Sequence, residues 1–233
     1  MHCDYEKMVE RFYTTHLNTG DRCVDVGAHS GRHTVPMARK VGRKGVVVAF
    51  EPLDTARSSL VQSLAAATLR EALGKVIVHK CALGEVEGRT SFVVVDNLPE
   101  YSGLRERIYD VPVKKRLVEI EIRTLDSYAD EIGAVRYVKI DVEGAELHVL
   151  RGAQHIIDTH RPIVSIEWGD NSLANYPYDS PEMARHVLGM NYRIMAITGE
   201  ELDFDGFVAA AARQAFWDYI LVPQEKWADV RWP

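Results

Sequence analysis

Cysteine is nearly missing from this chain: Cys3, Cys23 and Cys81 are three among 233 residues. They are odd in number, far apart and never in a C-x-x-C pair, which argues against a disulfide frame and a zinc site. The opening residues Met1 to Lys7 are charged and lack the apolar core of a signal peptide. No apolar run approaches the length of a membrane span. A reducing cytoplasm, with no membrane partner, is the expected setting. Positive charge is also in short supply. With 28 Lys and Arg against 34 Asp and Glu the net charge is −6, so the phosphate neutralisation that drives nucleic-acid binding has no support. P-loop, H-E-x-x-H and Ser-His-Asp patterns are missing too. What remains is ordinary, 46% hydrophobic and 27% charged, and suits one α/β domain over residues 1–233.

Apolar runs alternate with helix-period segments, the pattern of a mostly parallel sheet covered on both faces. A leading helix is expected within residues 1–17, from Tyr5 to His16. Strands follow at 22–26, 46–50 and 76–79, with helices at 34–41 and 55–73 between them. The glycines of 84–88 read as a hairpin turn before a strand at 90–95. The polar stretch 96–117 carries Pro99, Gly103 and Pro112 and reads as a long loop of the lid type. Residues 118–123 alternate as a half-exposed strand. Further strands are expected at 137–140, 163–166, 192–197 and 216–222, and a helix at 181–188. Another helix after Gly144 presents Val149, Leu150, Ala153, Ile156 and Ile157 on one face.

The chemistry concentrates at strand ends. Val24-Asp25-Val26-Gly27-Ala28-His29-Ser30-Gly31 joins a strand to a helix, which sets backbone N–H groups and a helix N-terminus against a ligand. A dinucleotide fingerprint needs G-x-G-x-x-G, and His29 stands where its middle glycine would be. Asp25, two before the first glycine, fits S-adenosylmethionine better, because a carboxylate there accepts from the ammonium of the methionine part. Glu51 follows Gly27 at close to the roughly 20-residue gap at which a strand-two carboxylate takes ribose hydroxyls. Asp141 and Glu143 flank one residue at the end of the 137–140 strand, and alternation points both the same way. They are candidates to orient a nucleophile or accept its proton. They would also suit a divalent ion, although no metal site is expected. Glu167 ends the next strand after an apolar run, where an unpaired carboxylate would be costly. Glu146 is read as an N-terminal helix charge, and Lys139 as the partner of a neighbouring carboxylate.

Together these segments resemble the FkbM-type methyltransferases. The pieces are Gly20-Asp21 leading into the 24–31 turn, Val48 to Pro52, Ala82-Leu83-Gly84, Arg123 to Asp126, Val138 to Glu146, and Pro162 to Glu167. The resemblance covers roughly Leu17 to Trp168. It implies the class I methyltransferase fold, a Rossmann-like, mostly parallel seven-stranded sheet with helices on both faces, here with a β-hairpin insertion. It implies S-adenosylmethionine held by Asp25, Gly27, Ala28, His29, Gly31, Glu51, Pro52, Ala82 and Asp141. The acceptor would be a hydroxyl on a small molecule or saccharide, with Glu143, Asp141 and Glu167 as candidate general bases in that order. Tyr101 and Ser102 of the long loop are candidate acceptor contacts. A nicotinamide oxidoreductase and a non-catalytic cofactor-binding protein are the rival readings, and oligomeric state is left open.

Overall fold

The computed structural model describes residues 4–232; the first three residues, with Cys3 and the start of the expected 1–17 segment, and Pro233 lie outside them. The strands are β1 (Arg22–Val26), β2 (Val46–Phe50), β3 (Lys75–His79), β4 (Ala82–Leu83), β5 (Gly88–Val95) and β6 (Lys115–Arg123). They continue as β7 (Val135–Ile140), β8 (Ile163–Glu167), β9 (Tyr192–Ala196), β10 (Glu201–Leu202) and β11 (Asp218–Pro223). Eight form one sheet in the order β10-β9-β11-β8-β7-β1-β2-β3. From β3 to β8 the neighbours run parallel, while β11 is antiparallel to both β8 and β9. The expected seven strands are present, and the eighth is the two-residue edge β10.

Every second residue of the central strands faces the same layer. Val24, Val26, Val48 and Phe50 pack with Leu147, Leu150, Ile156 and Ile157 in one core. Their alternates, Cys23, Val47 and Tyr137, pack with Phe12, Tyr13, Met37 and Val41 in the other. The latter come from α1 (Tyr5–His16) and α2 (Thr34–Val41), both as the sequence predicts. Next comes α3 (Asp54–Thr68), which stops short of the expected Leu73. Tertiary bonds take over there: Gly74 N–H donates to Ala38 O at 2.7 Å and Lys75 N–H to Gly45 O at 3.0 Å, drawing the chain into β3. Helix propensity yields to that pull.

Two other expectations change. Gly84 to Gly88 is not a hairpin turn, because β4 and β5 do not pair. Between them lies β6, parallel to β4 and antiparallel to β5, in a separate three-stranded sheet. The insertion hairpin is β5–β6, closed by the long 96–114 segment. Residues 84–85 turn instead towards Gly152, where a Cβ would lie 2.0 Å from the Gly84 carbonyl oxygen. That contact also divides the single expected helix. After α4 (Ala129–Ile132) the chain forms α5 (Glu146–Arg151) and α6 (Gln154–His160), with Gly152 at the break. The remaining helices are α7 (Asp170–Leu173), α8 (Ser180–Gly189) and α9 (Phe204–Ala212). The helix expected at 181–188 is α8, while α7 and α9 are not among the expected elements.

Candidate functional site

Strand order reverses at β1: the chain runs from β1 to β2 on one side and reaches β7 on the other. Ligands of open α/β sheets bind in the crevice beyond the carboxyl ends at such a point. Here β2, β1, β7 and β8 end side by side in Glu51, the glycine turn, Asp141 and Glu167. A cavity of 290 Å³ opens there, lined by Asp25, Gly27, Ala28, His29, Glu51, Pro52, Ala82, Asp141, Glu143 and Glu167. Of the residues expected at the site, Gly31 alone is outside the lining. Its φ is +89°, and a Cβ on it would lie 2.6 Å from Leu60 Cδ1, so it seats the turn on α3.

The turn is built from inside. Gly27 leaves β1 at φ +82°, and a Cβ would lie 1.8 Å from the Asp141 carbonyl oxygen. Glycine is therefore required by the close approach of β1 and β7 as well as by its φ. His29 takes φ +46°, and its backbone N–H donates to Glu51 Oε2 at 2.9 Å. The other oxygen of Glu51 accepts from Leu53 N–H at 2.8 Å. Each carboxylate oxygen keeps a further lone pair, so Glu51 can brace the turn and still accept from a ligand. Burial pushes its carboxyl up to about 7, against the pull of those two N–H bonds.

Asp25 is buried, and its Oδ2 accepts from Thr34 Oγ1 at 2.6 Å. Its Oδ1 is buried with no partner among the described residues, an orphaned acceptor on a residue that lines the cavity. Register sets Asp25 beside Lys139. Two positions further along β7, on the same face, Asp141 accepts from Lys139 Nζ at 2.8 Å, the pairing expected of that lysine. Burial raises the Asp141 carboxyl, but Lys139 and a hydrogen bond with Glu167 bring it below the usual range. Burial and the Asp141 and Glu143 charges push Glu167 well above it. The same neighbours thus favour the charged form of Asp141 and the neutral form of Glu167. Antiparallel β11 begins at the same sheet edge, which sets Asp218 opposite Glu167. Burial raises Asp218 to about 8.

Glu143 sits just past β7 at φ +57°. Burial lifts its carboxyl to about 8, with Arg107 pulling down and Asp141 and Glu146 pushing up. Oxygens of Asp141, Glu143 and Glu167 lie within 4.8 Å of one another, a spacing at which carboxylates can share a cation. Lys139 and Arg107 already bring positive charge to two of them. Glu146 does what its position predicts: Oε1 accepts from Val142 N–H at 3.0 Å and Gly144 N–H at 3.2 Å, ahead of α5.

The sequence reading missed three lining or supporting groups. His33 is buried between the Tyr13 hydroxyl, 3.2 Å away, and Glu6 of α1. Both Glu6 and His33 line the cavity. Only the helix period of 5–16 hinted that α1 turns one face inward. Arg107, from the long loop, pairs with Glu143 at 2.5 Å, and nothing local in the sequence signals that contact. Tyr101 and Ser102 do line the cavity, on the loop side.

The family described as the Methyltransferase FkbM domain matches residues 25–194. The chain is similar to Methyltransferase sdnD of Sordaria araneosa, 30% identical over 156 residues, covering 55% of this chain and 59% of that protein. It is similar to Methyltransferase 1 of Beauveria bassiana, 27% identical over 146 residues, covering 55% and 57%. It thus spans less than two thirds of the length of these curated relatives. Among solved structures it resembles Methyltransferase FkbM from Methylobacillus flagellatus, with TM-score 0.58 and 19% identity over 95% of this chain and 48% of that one. Fibrillarin of Aeropyrum pernix, with natively bound S-adenosyl-L-methionine, gives TM-score 0.51 and 12% identity over 93% and 74%. At these identities the two structures show a shared fold, the Rossmann-like class I architecture.

Proposed function

The chain belongs to the FkbM methyltransferase family, and from that premise we propose that it transfers a methyl group from S-adenosylmethionine to a hydroxyl oxygen of a small molecule or sugar. One observation carries the proposal: Asp25, Glu51 and Asp141 lie near the carboxyl ends of three adjacent strands and line one cavity, and Asp25 Oδ1 is buried there with no partner among the described residues. This donor set fits the cofactor's chemistry. Carboxylates suit its cationic amino-acid end and its ribose diol, while Phe50, Pro52 and Ala82 offer apolar surface for a base. Asp25 and Asp141 would hold the cationic end, Glu51 the ribose, and the backbone of 27–29 the turn between them. When bound, the cofactor supplies an already activated methyl group.

The protein's share is then alignment and proton removal. Holding two reactants in near-attack geometry is worth about 7–11 kcal/mol, and a general base about 10²–10⁴-fold. The electrostatics separate the three carboxylates. Asp141 is too acidic and is tied to Lys139. Glu167 is pushed towards its neutral form by burial and by the Asp141 and Glu143 charges. Glu143, at about 8, ionises close to neutral pH, where a base is most effective. It is assigned the acceptor's proton. The net charge of −6 and the acid-lined cavity favour an uncharged or cationic acceptor over a polyanion.

The test is incubation of the protein with methyl-labelled S-adenosylmethionine and host extract, followed by mass spectrometry. Label on the oxygen of a low-molecular-weight product is expected. Label on nucleic acid or protein, or on a carbon or nitrogen atom, would overturn the assignment.

A further inference from the structure

The 96–114 segment between β5 and β6 is fastened across the cavity rather than hanging from the small sheet. At its near end Val93 and Gly103 exchange backbone hydrogen bonds of 2.9 and 3.1 Å, and Val95 N–H donates to Ser102 Oγ at 3.0 Å. At its far end Ile108 N–H donates to Asn171 O at 3.1 Å, and Asn175 Nδ2 to Glu106 O at 2.7 Å. Those residues follow β8, so the strap crosses from the small sheet to the far side of the site. Between those two far anchors is Arg107, which lies over the Tyr101 ring at 4.3 Å and pairs with Glu143 at 2.5 Å.

Three facts make this pair more than surface trim. Arg107 and Glu143 side chains are only 6% and 11% exposed, so breaking the pair would leave a buried guanidinium and a buried carboxyl without their partners. Gly103 lies so close that a Cβ there would stand 3.1 Å from Glu143 Cβ. Glu143 itself holds a left-handed φ of +57° without being glycine, a conformation that persists only where its surroundings impose it. The enclosed space matters as well. At 290 Å³ the cavity is at the lower edge of the roughly 300–1,000 Å³ of small-molecule sites. Pro99, Glu100, Tyr101, Ser102 and Leu104 of the strap line this cavity together with Glu143, so the strap forms one of its walls.

We propose that Arg107 is a positioning residue for methyl transfer, latching the 96–114 strap to Glu143 so that the acceptor enters only when this pair opens and Glu143 is aimed when it closes. This rests on the hydroxyl-transfer reading for what the strap encloses, but the latch can be measured without any ligand. Amide exchange of the full chain is followed in strap peptides spanning 103–110, for wild type, R107A, R107K, E143Q and the R107A/E143Q double variant. The volume-conserving R107K and E143Q keep the test valid should R107A fold poorly.

Latching predicts that R107A and E143Q each speed strap exchange by at least ~10-fold. The double variant should go no faster than the faster single, and R107K should fall in between. Release of S-adenosylhomocysteine, measured by stopped flow, should quicken in the same order. Unchanged strap exchange in R107A, or single effects that multiply in the double variant, would overturn the latch. If no form binds S-adenosylhomocysteine, the hydroxyl-transfer reading fails while exchange still decides the latch.

Discussion

The two walls of the cavity are made by different means. On the sheet side, the glycine turn and the acids at the ends of β2, β7 and β8 are fixed by strand register and by bonds to backbone N–H groups, such as those from His29 and Leu53 to Glu51. On the strap side, closure depends on side chains distant in sequence, with Arg107 and Glu143 36 positions apart. A wall held by backbone is set once the sheet forms. The strap, held by one buried pair and a few loop hydrogen bonds outside the main sheet, can open without unfolding that sheet. Glu143 sits where the two meet, which suits the role of general base proposed for it.

That contrast can be broken from either side. The largest effect is expected at the junction: Glu143→Gln should cut methyl transfer by about 10²–10⁴-fold while S-adenosylmethionine still binds. Wild-type turnover would remove Glu143 from the chemistry. A smaller effect is expected on the sheet side, at Glu146. Burial raises its carboxyl to about 7, so the folded chain keeps a proton that the unfolded chain loses near pH 4.5. The stability tied to that proton is complete below about pH 4.5 and drains away as pH rises towards 7. Glu146→Gln keeps an oxygen for Val142 and Gly144 but carries no charge, and should stabilise the protein by about 1–3 kcal/mol at pH 8. Near pH 4.5 it should make little difference. Denaturant melts at the two pH values check this, and a less stable variant at pH 8 would show that the charge is stabilising.

How far the sequence could be read follows the same division. Residues Arg22–Val26, Thr34–Val41 and Val46–Phe50 fall into the predicted elements without a shift, because apolar runs punctuated by glycine and Glu-Pro leave little choice. The strand-end position of Glu51 followed from those boundaries, and that of Asp141 and Glu167 from the apolar runs at 137–140 and 163–166. Where partners are remote, local pattern misled. Gly84 to Gly88 has hairpin composition, yet β6 arrives from thirty-odd residues away to separate β4 from β5. Gly152 breaks a helix whose apolar face is continuous, because the Gly84 carbonyl needs the space. Arg107 and His33 have no local signature, and Glu6 has only the helix period of α1. Their roles exist only once α1 and the strap are packed.

The central claim is that the sheet-side wall is a seat for S-adenosylmethionine, and calorimetric titration of wild type and Glu51→Ala with that cofactor and with NAD tests it most directly. Wild type should bind S-adenosylmethionine at one site and not NAD, and Glu51→Ala should lose about 10–100-fold in affinity, as expected for removing a charged acceptor of hydrogen bonds. Binding of NAD in preference, or affinity for S-adenosylmethionine untouched by the substitution, would contradict the account.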